Sequence, residues 1–157
     1  MVVLCTVRDI QYYLVLFLVV LHQNIVNLIK QLNIPLVEVS LVIGKFTKSL
    51  SDKLKEIAII NNENLPEKYT ESWPLDLEDS EQENKASIGL EKVIDVLDTD
   101  RIDILDTLIR TSINLEEIPL ADSLLVLRSW EKLVRTQLSK SATPGQLFST
   151  VVIPDDF

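Results

Sequence analysis

The sequence predicts an all-α protein, and three observations carry that expectation. Apolar residues recur every three or four positions through most of the chain, the repeat of a helix rather than the alternation of a strand. Prolines fall at the breaks in that repeat, at Pro35 and Pro119, where they end one helix and suit the first turn of the next. A single aperiodic acidic stretch, residues 61–86, separates the two periodic parts. The expected architecture is an N-terminal long αα-hairpin over 1–60 and a flexible acidic linker over 61–86. A C-terminal bundle of about three helices with an extended tail follows over 87–157. The two helical parts are either separate or packed as one domain.

The first helix is expected from about Arg8 to Leu32. It contains ten residues, 12–21, with no polar group other than the hydroxyls of Tyr12 and Tyr13. A bilayer span needs about 20 apolar residues. Extension in one direction meets Gln11, Asp9 and Arg8, and in the other His22, Gln23, Asn24 and Asn27. A secretory signal fits no better, because Asp9 offsets Arg8 and no small-residue cleavage site follows Leu21. The run is therefore expected to be a helix buried on most sides. The second helix has the cleanest pattern: Leu36, Val39, Ile43, Phe46, Leu50, Leu54 and Ile57 form one stripe, with Lys45, Lys48, Lys53 and Lys55 mostly off it.

From Asn61 the periodicity stops. Asn61, Asn62, Asn64, Pro66 and Pro74, with the acidic run from Asp76 to Glu83, bury too little apolar surface to offset the entropy of ordering. Tyr69 and Trp73 are the residues there able to dock locally. Pro74-Leu75-Asp76-Leu77-Glu78 resembles the Pro-x-Asp-Leu motif through which proteins dock on the C-terminal-binding-protein transcriptional corepressors. It departs from the usual Ser or Thr at the last position. Ser72 and Ser80 stand among acids as phosphorylation candidates. Helical spacing resumes with Leu90, Val93, Ile94 and Leu97. It continues with Ile102, Leu105, Leu108 and Ile109, and then with Leu120, Leu124, Leu127, Trp130, Val134 and Leu138. Asp98, Thr99 and Asp100 each suit the cap between the first two of these. Thr143-Pro144-Gly145 stops the last helix, and residues 147–153 are expected to be a lone strand or a tail laid across the bundle.

Composition weighs against enzymes. One His (His22), one Cys (Cys5) and three scattered glycines do not assemble a phosphate loop, a zinc site or a His-activated nucleophile from local motifs. Asp95, Asp98, Asp100, Asp103 and Asp106 fail a calcium-loop template begun at Asp98, which finds Ile102 at position five and Ile109 at position twelve. They are expected to serve as caps and a solvated face. No catalytic, cofactor or metal residue is expected. A net charge of −9 argues against nucleic acid. The charge is uneven: residues 1–60 carry six bases and four acids, 61–86 two and eight, and 87–157 seven and twelve. One cysteine and no Asn-x-Ser/Thr acceptor fit an intracellular location, cytoplasmic or nuclear.

The functional expectation is a non-enzymatic helical interaction module, an adaptor or a subunit of a larger complex. The alternative is a membrane-associated protein anchored through residues 12–21. Helix one offers apolar side chains in nearly every direction, more than a hairpin partner covers. A protein partner or self-association is expected there, through Tyr13, Phe17 and Leu21. Arg128, Lys132 and Arg135, at i, i+4 and i+7 on the C-terminal helix, are the basic candidates for an acidic partner. A phosphate, an anionic lipid surface or the acidic linker of the same chain is the alternative.

Overall fold

A computed structural model of the protein describes residues 7–75, 90–115, 118–141 and 143–157. The fold is all-α, with helices α1 (Val7–Leu32), α2 (Leu36–Ile60), α3 (Glu67–Thr70), α4 (Leu90–Val96), α5 (Thr99–Leu115), α6 (Leu120–Ser139) and α7 (Pro144–Leu147). Among the described residues there is no strand, only an isolated antiparallel bridge between Pro35 and Thr150. Cys5, Ser80 and the Asp76-Leu77-Glu78 part of the linear motif lie outside the described residues.

The corner between α1 and α2 is built by local rules. Asn33 takes a left-handed backbone, φ 48°, which asparagine tolerates better than most residues. The Ile34 amide then donates back to the Ile29 carbonyl at 3.2 Å. That bond, with both isoleucines buried, is the helix-ending motif whose hydrophobic contact spans the turn. Asn62 repeats the arrangement after α2, with φ 54° and the Glu63 amide on the Ala58 carbonyl at 2.8 Å. Before α5, the Asp98 carboxylate accepts from the Asp100 and Arg101 amides, so Asp98 is the cap of the three candidates.

The two long helices share the Pro35 corner, yet each has its main neighbour in the C-terminal part. α2 lies chiefly against α6, α1 lies against α5, and α5 also touches α2. One core therefore draws on both parts: Leu21, Ile25 and Ile29 of α1, Val39 and Ile43 of α2, Leu105 and Ile109 of α5, and Leu127 and Trp130 of α6. A charged group sits inside it. Glu38 of α2 is fully buried and meets Arg101 of α5.

Two segments outside the long helices pack against the bundle. Residues 63–75 turn back over α6 through the short helix α3, where Tyr69 and Trp73 dock. Residues 76–86 lie outside the described residues. Beyond Thr143, α7 adds one capped turn, with Thr143 and Gln146 in a reciprocal capping box. The tail is then laid across the bundle. The Ser149 carbonyl accepts from the Leu36 amide at 2.8 Å, satisfying an orphan donor at the start of α2. Gln137 of α6 holds Val152 through both its amide oxygen and its amide nitrogen.

Candidate interaction surface

The site is assembled on α1, where core and solvent faces follow from helical spacing. Leu21, Ile25 and Ile29 point inward and are buried, and Phe17, Leu18, Leu28 and Leu32 pack partly against the same core. The opposite face carries Tyr12, Val15, Leu16, Val19, Gln23, Asn27 and Lys30, at three- and four-residue steps. Its second half is what a solvated helix requires: Gln23, Asn27 and Lys30 are polar and exposed. Its first half is not. Tyr12 is 75% exposed, Val15 55%, Leu16 47% and Val19 51%, and Tyr13 beside them is 54% exposed.

This corrects the expectation of a run buried on most sides. Of residues 12–21 only Leu21 is buried. The reason is positional. The tail, α5 and α6 bury the inner face of α1 from Leu21 onward, and the described elements leave its outer face uncovered, including the apolar stretch from Tyr12 to Val19. The five exposed side chains present on the order of 500 Å² of surface, the upper range for a patch on a monomer. No charged side chain occurs anywhere from residue 10 to residue 29.

The six expected partner residues divide. Tyr13 is exposed and Phe17 is half-buried against the core, both at the patch. Leu21 is a correction: fully buried, it is a core residue and presents nothing to a partner. Arg128 is a second correction, because it is 5% exposed and occupied internally. Its guanidinium donates to both oxygens of Glu131 at 3.0 Å, to the Tyr69 carbonyl at 3.1 Å and to the Ser72 hydroxyl at 3.4 Å. Arg135, half-buried, donates to the Trp73 carbonyl at 2.8 Å. These two arginines do meet the acidic stretch of their own chain, through its carbonyls rather than its carboxylates. Lys132 is half-buried on the same helix.

Other polar groups are also absorbed by the fold. Asp106 pairs with Lys45 of α2 and with Arg110 one turn along α5. His22 accepts at Nδ1 from the Trp130 indole N–H, 3.1 Å away, and its ring lies against Trp130 and Phe157. Acceptance at Nδ1 requires the neutral ring, and desolvation lowers the His22 pKa in the same direction. No group of three His, Cys, Asp or Glu suited to a metal occurs among the described residues. Comparison of the chain with protein-family models, with curated proteins and with solved structures gives no match.

Proposed function

We infer that this chain is a non-enzymatic helical interaction module, an adaptor or subunit of a larger complex, which binds protein through the first half of α1. One observation carries the reading: the outer face of a single helix is polar at Gln23, Asn27 and Lys30 and apolar at Tyr12, Val15, Leu16 and Val19, all of them exposed. Water selects the polar half. At roughly 25 cal/mol per Å², burying the apolar half supplies a driving force of several kcal/mol before the entropic costs of association. The scarcity of His, Cys and Gly and the single cysteine support a non-catalytic, intracellular protein.

A membrane role through the same segment is the second reading. Residues Gln11–Leu32 are long and apolar enough to cross a bilayer by length and composition. Crossing as a helix would withdraw Leu21, Ile25, Val26 and Ile29 from the core. The uncovered turns of 12–20 span only about 14 Å at 1.5 Å per residue, half of a hydrocarbon layer of about 30 Å. A negative chain also gains nothing from anionic headgroups.

The test compares the full chain with a Val15→Asp/Val19→Asp variant. The expected result is an unchanged melting temperature together with loss of a protein that binds the unmodified chain stoichiometrically. Flotation of the unmodified chain with phosphatidylcholine vesicles, abolished by the same substitutions, would transfer the site to the membrane reading.

A further inference from the structure

We propose that the occupant of the α1 stripe is a second copy of this chain, paired antiparallel about Val15 and Leu16. The proposal rests on the interaction-module reading above and names its partner.

Three features of the stripe favour a copy of itself. Its apolar centre is bounded by polar side chains on both sides, Arg8 and Gln11 before it and Gln23 and Asn27 after it, all exposed. A two-fold axis through the midpoint of Val15 and Leu16 sets Tyr12 of each copy against Val19 of the other. It brings Arg8 opposite Gln23, so that apolar meets apolar at the centre and polar meets polar at each end, with Gln11 opposite Val20 at the flank. A two-fold interface requires this self-complementarity, because one patch serves both sides. The stripe also offers no charge by which an unlike, charged partner would be chosen, since residues 10–29 contain no Asp, Glu, Lys or Arg. The same lack lets two copies of net charge −9 approach there without a like-charge contact.

The area sets the strength. About 500 Å² from each copy buries about 1,000 Å² in total, at the lower limit for a specific interface. The pair is therefore a weak, concentration-dependent dimer, with dissociation on the order of micromolar.

The experiment is sedimentation velocity of the full chain over a concentration series, joined to cysteine cross-linking. Val15→Cys in a Cys5→Ser background puts a thiol beside the proposed axis; Lys53→Cys in the same background places one on an exposed face of α2. The expected result is a monomer–dimer equilibrium and rapid oxidative cross-linking at position 15 but not at 53. Leu16→Asp should raise the dissociation constant at least a hundredfold at an unchanged melting temperature. A monomer at every concentration overturns the proposal, as does a dimer indifferent to Leu16→Asp. If a different protein still binds the stripe in either case, the self-pairing fails and the interaction-module reading stands. If nothing binds it, both fail.

Discussion

Arg101 of α5 grips the fully buried carboxylate of Glu38 on α2 with two nitrogens, Nε on Oε2 at 3.0 Å and Nη2 on Oε1 at 2.9 Å. The Asp98 amide adds a third bond to Oε1 at 2.9 Å, and Asp98 is itself the cap of α5. Glu38 lies in the first turn of α2, where unpaired amides and the helix dipole also favour an anion. The hydrogen bonds that Arg101 donates to Glu38 hold the Arg101 pKa above its ordinary value.

Breaking this pair should cost unequally. Glu38→Ala leaves an arginine whose side chain is 32% exposed and able to turn to water, so its cost lies near the low end of the roughly 3–5 kcal/mol typical of a split buried pair. Arg101→Ala strands a fully buried carboxylate with the Asp98 amide alone, and should cost more. Urea unfolding of the two variants checks the order. A smaller loss in Arg101→Ala than in Glu38→Ala would show that the carboxylate finds another partner.

The strap over α6 should be the element that Arg128 and Arg135 keep closed. Trypsin cleavage after the exposed Lys68 is expected to accelerate in Arg135→Ala, which frees the Trp73 end of the strap. In Arg128→Ala it should accelerate further, and stability should fall by about 1–3 kcal/mol because Glu131 is left buried without its partner. Cleavage after Lys30 or Lys45 ahead of Lys68 would place the weak point elsewhere.

His22 should make stability fall on mild acidification. Its folded pKa is lowered, so below the usual value of about 6.5 the unfolded chain takes up a proton that the folded chain refuses. The contribution is full above that pH and declines beneath it. Unfolding free energies between about pH 7.5 and 5.5 should therefore slope more steeply in the natural chain than in His22→Gln. Equal slopes would show that His22 does not exchange its Trp130 bond for a proton.

Ser123 is fully buried on α6, and its hydroxyl meets no hydrogen-bond partner among the described residues; Ser51 on α2 is in the same position. Ser123→Ala removes an unpaired buried hydroxyl and changes volume little. It should be neutral or stabilise by up to about 1 kcal/mol. A loss above about 1 kcal/mol on thermal melting would mean that the hydroxyl is bonded in solution.

Much of the fold was legible because its signals are local. Pro35 and Pro119 mark helix starts within one residue, and the α2 stripe finds Leu36, Val39 and Ile43 in the core. The same stripe surfaces by Ile57, which is 37% exposed, because periodicity reports a face and not how far a neighbour extends along it. The charges of Arg128 and Arg135 point to the acidic stretch of their own chain but not to the atoms they meet there. Their acceptors are mainly backbone carbonyls of residues 69–73, and carbonyls leave no pattern in a sequence. The exposed patch is half legible: an uncharged run is visible in the letters, but that its outer face stays uncovered depends on which side of α1 the other helices pack. Asn33 was the overlooked local clue, since asparagine just past a helix is a recognised left-handed stop.

The bond between the Leu36 amide and the Ser149 carbonyl has a consequence for synthesis. A growing chain completes α1 and α2 long before residues 149–151 exist, so the corner that Ile34 and Leu36 occupy waits for the tail, and the α2 face for α6. Contacts this distant in sequence slow folding, because a long loop must close before they are rewarded. Until α5 and α6 are made, α1 and α2 stand without their main neighbours, and apolar surface exposed in this way favours aggregation of the unfinished chain.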